Sequence, residues 1–89
     1  MIIVYTTQFK KDYKSISKQK KNLAKLRFVI EKLNSDKKLE SKYKDHQLIG
    51  YFKGYRDCHI ESDWLLIYKK TDKYLVLERT GSHSELFKN

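Results

Sequence analysis

The sequence predicts a single α+β domain spanning residues 1–89, with a helical hairpin packed on one face of a four-stranded, largely antiparallel sheet and a short helical turn at the end. Three observations carry that prediction. Ile2, Ile3, Val4 and Tyr5 form a β-branched and aromatic run, the signature of a first strand. Two stretches between Phe9 and Leu33 then repeat apolar residues at helical spacing. From Tyr55 to Thr80 three short strand-like segments follow one another across tight turns, which makes an antiparallel meander.

Each element has its own local reason. Thr6 or Thr7 can cap the first helix. Phe9, Tyr13 and Ile16 recur at i, i+4 and i+7, while Lys10, Lys11, Lys14 and Lys18 fill the other face. Residues 17–22 form a corner without Pro or Gly. Leu23, Leu26, Ile30 and Leu33 make the second helical stripe, which Ala24, Phe28 and Val29 are expected to widen. Residues 34–47 are polar and Lys-rich and read as a loop holding Tyr43 and His46. Residues 48–54 read as a short strand or turn, punctuated by Gly50 and Gly54.

Residues 55–61 alternate, so Arg56, Cys58 and Ile60 share one face and Asp57, His59 and Glu61 the other. Ser62 and Asp63 turn the chain. Residues 64–70 are apolar on both faces. In residues 74–80, Leu75, Leu77 and Arg79 are expected on one face, and Tyr74, Val76 and Glu78 on the other. The tail carries an S-x-x-E capping box from Ser82 to Glu85. It predicts one helical turn starting at His83 and closing on Leu86 and Phe87. His83 then stands at a helix N-terminus, where free N–H groups favour an anion.

Charge separates the chain into two parts. The formal net charge is +9, from 20 basic and 11 acidic residues. Residues 10–38 hold eleven basic and three acidic side chains, net +8, and residues 39–89 hold nine and eight, net +1. Attraction to a polyanion therefore resides in the helical half. Basic amphipathic helices suit a DNA groove in principle, but the connector lacks a Gly and no set of polar base readers stands out on either helix. A lone cysteine, Cys58, excludes an internal disulfide and a cysteine-based metal cluster. The N-terminal apolar run is too short for a signal peptide, and no run approaches the ~20 residues of a membrane span. The expectation is a cytoplasmic protein without membrane contact.

The chemistry gathers in the second half. RNA cleavage needs a base for the ribose 2′-OH, an acid for the leaving 5′-oxygen and donors for the phosphorane-like transition state. Histidine serves the first two, with an ordinary pKa of ~6.5. The candidates are His46, His59 and His83, with Asp63 as a further carboxylate and Arg79 as a phosphate clamp. Trp64, Tyr55 and Phe87 are candidates for stacking on unpaired bases. No cofactor is implied, and no metal: no histidine pair has i, i+4 spacing, and Cys58 faces away from His59.

Four segments sharpen this reading: DHQL at 45–48, YFKGYRDCH at 51–59, ESDWLLIY at 61–68 and ERTGSHSELF at 78–87. Together and in this order they resemble the YafQ group of the RelE/ParE superfamily, toxins of bacterial type II toxin–antitoxin modules. The resemblance is dense from Asp45 to Phe87 and looser over the first half. It implies the RelE/ParE-like order β-α-α-β-β-β with a closing helical turn. It also implies a metal-independent endoribonuclease that cleaves mRNA, in the best-understood members in the ribosomal A site, and so arrests translation. The implied partners are mRNA, the ribosome and a cognate antitoxin, with DNA touched only through the antitoxin complex. The residues it implies as catalytic are His46, His59, Asp63 and His83; Trp64, Arg79 and Phe87 would bind substrate. Two alternatives share the architecture: a ParE-like toxin acting on DNA gyrase, which needs no such histidines, and a non-catalytic RNA-binding module.

Overall fold

A computed structural model describes residues 1–87. The order is β1 (Ile2–Tyr5), α1 (Thr7–Lys18), α2 (Leu23–Asn34), β2 (His46–Gln47), β3 (Arg56–Glu61), β4 (Trp64–Lys70), β5 (Tyr74–Gly81) and α3 (His83–Leu86), with 3-10 turns at Ser41–Tyr43 and Gly50–Phe52. The α+β class and the element order agree with the sequence. The strand count does not: the sheet has five strands, ordered β1-β5-β4-β3-β2. β1 runs parallel to β5, and the other three pairings are antiparallel. The extra strand is β2, two residues long, pairing His46 with Asp57 and Gln47 with Arg56. So short a strand has no periodicity of its own. Only the hydrogen-bonding edge of β3 makes it one.

The central strand shows why the sheet needs cover on both sides. Trp64, Leu65, Leu66 and Ile67 are all fully buried. Trp64, Leu66 and Tyr68 join Phe9, Ile16, Leu26, Val29 and Leu33 in the main core beneath the helices. Leu65 and Ile67 face the other way, into a smaller cluster closed by Phe52 and Leu86. The Gly50–Phe52 turn and α3 therefore act as a lid on the second face. A continuous apolar strand is the sequence mark of that arrangement.

The helices form as their caps dictate. Thr6 Oγ1 accepts from Phe9 N at 2.9 Å and donates to the Glu78 carbonyl at 2.8 Å, so the cap of α1 is also tied to β5. Asn22 caps α2 by accepting from Ala24 N at 3.1 Å. Of the residues expected to widen the α2 stripe, Val29 is buried, but Ala24 and Phe28 are exposed. Phe28 is two residues past Leu26, about 200° round the helix, and so faces away from the core.

One polar seam crosses the domain. Asp12, on the buried side of α1, accepts from Arg79 Nε at 3.0 Å, Arg79 Nη2 at 2.9 Å, Thr80 N at 3.1 Å and Gln8 Nε2 at 3.1 Å. Thr80 Oγ1 continues it, donating to the Leu65 carbonyl at 2.8 Å and accepting from the Trp64 indole at 2.9 Å. A bulge in β5 makes this geometry. Tyr68 pairs with Leu77 and Ile67 with Arg79, so Glu78 is the extra residue. Strict alternation places Arg79 on the Leu77 face; the bulge gives that face to Thr80 instead.

Replacing Asp12 by Ala leaves the Arg79 guanidinium and the Thr80 amide without their acceptor. The expected cost is about 3 kcal/mol, scaled down from a fully buried pair because Arg79 is partly exposed. Urea unfolding of the variant against the parent measures it, and a loss under about 1 kcal/mol would contradict a structural role for this carboxylate.

Candidate active site

The second face of the sheet, around the edge of the smaller core, collects most of the chemistry-bearing residues. His46 is presented by β2, and its place is set by the residue before it. Asp45 accepts from Tyr68 Oη at 2.6 Å and from Arg56 Nε and Nη2 at 3.3 and 3.4 Å. The Tyr68 ring is buried, and burial raises the pKa of its hydroxyl well above the usual phenol range. It is therefore a fixed donor.

His46 Nδ1 makes its hydrogen bond to the Lys44 carbonyl at 2.9 Å and also lies 3.0 Å from Asp57 Oδ1. A carbonyl only accepts, so Nδ1 carries the ring proton. Nε2 is left as the nitrogen with a lone pair. Because the Nδ1 bond is directed to Lys44, Asp57 Oδ1 stays buried with no hydrogen bond of its own. Burial raises the pKa of the Asp57 carboxyl, and the charges of His46, His59 and His83 pull it back. All three histidines thus lie within electrostatic range of one carboxylate.

His83 opens α3, where the capping box is complete: Ser82 Oγ accepts from Glu85 N at 3.2 Å, and Glu85 Oε1 accepts from Ser82 N at 2.8 Å. The anion at this helix start is Asp63. Its Oδ1 accepts from the His83 backbone N–H at 3.0 Å and from His83 Nδ1 at 2.9 Å. The backbone N–H is the main cause holding the Asp63 carboxyl below its ordinary range. An ionised carboxylate only accepts, so His83, like His46, leaves Nε2 as its free nitrogen. The His59 ring stands 5.5 Å from the His83 ring, edge to face, and the Phe87 ring stands 6.3 Å from that of His83, tilted. Behind His59 a cleft of about 640 Å³ runs toward α2, lined by Lys25, Lys42, Lys44, Phe28 and Tyr43.

The structure brings together His59, Asp63, His83 and Phe87, with His46 sharing Asp57 as a neighbour. It sets two other expected residues apart. Trp64 is fully buried, its indole bonded to Thr80 and its ring covered by Lys21 at 5.6 Å. With no face open, it supports the site from the core and does not hold a nucleotide. Arg79 commits Nε and Nη2 to Asp12, which raises its pKa further. Asp57 is the residue that sequence reasoning missed. The signal was present, because it alternates with His59 and so shares that face of β3. Cys58 points the other way, is buried, and burial raises the pKa of its thiol. Among the described residues, no group of three or more His, Cys, Asp or Glu is arranged to hold a metal ion.

The Asp57 shift has a consequence for stability. A folded-state pKa above the unfolded value means that this group's contribution is fullest below the unfolded range, about pH 4, and falls as pH rises through the raised folded value. Asp57→Asn removes the titration. Its urea midpoint should decline less than the parent's from about pH 4 upward. Superimposable pH–stability curves would show that the carboxyl is not desolvated.

Comparison with known proteins places this geometry. A family model described as "Bacterial toxin of type II toxin-antitoxin system, YafQ" matches residues 1–88. The chain is 50% identical over 86 residues to the mRNA interferase toxin YafQ of Escherichia coli strain K12, covering 96% of this chain and 94% of the relative. The crystal structure of YafQ from E. coli strain BL21(DE3) superposes with a TM-score of 0.93 at 48% identity, covering 96% of each chain. The toxin in the crystal structure of the E. coli DinJ-YafQ complex superposes with a TM-score of 0.88 at 50% identity, again covering 96% of each chain.

Proposed function

We propose that this chain, which belongs to the YafQ family of bacterial toxins from type II toxin–antitoxin systems, cleaves messenger RNA by histidine acid–base chemistry. The observation that carries this reading is the pair of imidazoles, His46 and His83, each with Nδ1 held by an acceptor and Nε2 left to exchange a proton. His46 Nε2 takes the proton of the ribose 2′-OH. The 2′-oxygen attacks the adjacent phosphorus, the bond to the 5′-oxygen breaks, and His83 Nε2–H protonates that oxygen. The products are a 2′,3′-cyclic phosphate and a 5′-hydroxyl, so atoms and protons balance without a metal. Asp63, kept ionised by the His83 backbone N–H, orients the acid and is too weak a base to act first. His59 faces the scissile phosphate beside His83, and Phe87 bounds the nucleotide. Arg79 adds positive charge to the transition state with what its pairing to Asp12 leaves free.

The ribosome is the proposed setting. Lys10, Lys11, Lys14 and Lys18 are all exposed on α1, where they suit a structured RNA around the message. The proposed protein partner is a cognate antitoxin, as DinJ is for the E. coli relative. Contact with DNA would come only through that complex, in a cytoplasmic setting.

Purified protein, incubated with a defined message with and without programmed ribosomes and in EDTA, tests the reading by primer extension. Cleavage should survive EDTA and fall at least ~100-fold in His83→Ala, the scale of a lost general acid. A variant that folds and still cuts at the parental rate would remove His83 from the mechanism. Cutting of free RNA alone would keep the enzyme and drop the ribosome. Reversing the four α1 lysines to Glu should weaken ribosome binding and flatten its dependence on salt; unchanged binding would assign those lysines elsewhere.

A further inference from the structure

We propose that the exposed aromatic turn at Gly50–Phe52 is a stacking subsite for an unpaired base next to the one being cleaved. The proposal rests on the RNA-cleaving reading above and deepens it. Tyr51 is 94% exposed, and Ile49, the residue that caps the turn, is 90% exposed. Scattered exposed apolar residues need no explanation, but Tyr51 continues an ordered run of rings. Tyr51 meets Phe52 edge-on at 5.0 Å, Phe52 meets Phe87 edge-on at 5.9 Å, and Phe87 stands 6.3 Å from His83. The rings therefore lead without a break from the imidazole that acts as acid to the open ring of Tyr51.

The backbone holds that display. Gly50 at φ +73° and Gly54 at φ +93° occupy the left-handed region and bracket the turn. Between them Phe52 is buried in the smaller core while Tyr51 is left outside. The groove beside the turn measures about 720 Å³ and has Tyr51 and Phe87 on its walls and Gln8, Glu78 and Arg79 among its polar lining. Glu85 lines it too, with Oε1 committed to the Ser82 N–H; aromatic walls with an amide, carboxylates and a guanidinium match a nucleobase, whose face stacks and whose edge both donates and accepts. A phosphate alone would be repelled by Glu78. Lys53, exposed on the same turn, is placed for the sugar–phosphate backbone that follows. Interleaved aromatic and basic side chains are how single strands are held without base pairing. An antitoxin segment is the rival occupant. Continuity with the histidines favours RNA.

The test compares the parent with Tyr51→Ala, Tyr51→Phe and Tyr51→Trp. The readouts are message cleavage, in whichever form the parent cuts, and neutralisation by the cognate antitoxin. Tyr51→Ala should raise KM about 5- to 100-fold, the scale of one lost base–aromatic stack, with the effect on KM and not on kcat. Phe and Trp should restore it, because stacking needs a ring and not a hydroxyl. Parental KM in Tyr51→Ala overturns the subsite while leaving the nuclease intact. So does a variant that cuts normally but escapes the antitoxin, which assigns the turn to that partner. If the parent itself cuts no RNA, the nuclease reading falls first, and the subsite with it.

Discussion

The Asp12 carboxylate, buried between α1 and β5, is the constraint on which the active-site geometry depends. Its four acceptances tie one helix to the last strand at the point where that strand is bulged. Thr80 passes the restraint to β4 through Leu65 and Trp64. Asp63 immediately precedes Trp64, and His83 follows three residues after Thr80. The seam therefore fixes the two chain ends that bring Asp63 and His83 to 2.9 Å. A buried carboxylate is costly unless its lone pairs are filled, and here they are. Trp64 contributes through the same seam: its buried indole holds Thr80, near the end of the strand that leads into His83.

A second carboxylate does the same for the proposed base. Asp45 is clasped by Tyr68 from β4 and Arg56 from β3, and His46 is the next residue. Each proposed proton carrier is thus placed by a carboxylate hydrogen-bonded to the sheet's own side chains. The histidines themselves remain about half exposed. Rigid support beneath open imidazoles is what a proton-transfer site needs, because the ring must meet solvent and substrate while its bearing stays fixed.

The element order was legible because each long element announces itself: caps at Thr6 and Asn22, helical stripes, a two-faced apolar strand, and the box from Ser82 to Glu85. The smaller features were not. β2 is two residues with no pattern, and exists only because β3 offers an edge. The β5 bulge is invisible to alternation, which assumes one residue opposite one, so Arg79 and Thr80 exchange faces. Trp64 looked like a stacking platform because sequence gives residue type but not depth. Asp57 shows the converse. Its face was correctly read, yet carboxylates on strands are common enough that only burial and the three converging histidines distinguish it.

Asp57 also bears on why the charge is distributed as it is. An apolar residue at that position would avoid a buried oxygen without a hydrogen bond. The carboxylate instead lies among the three imidazoles, in the part of the chain (residues 39–89) that holds +1 of the net +9, while residues 10–38 hold +8. A strongly cationic catalytic face would hold a phosphodiester as firmly before reaction as during it, and such uniform binding does not raise kcat. Attraction collected on α1 and α2 brings a polyanion in from a distance without tightening its ground state at the scissile bond. In the proposed mechanism it is then the proton transfers at the histidines, and not the bulk field, that distinguish the transition state from the bound message.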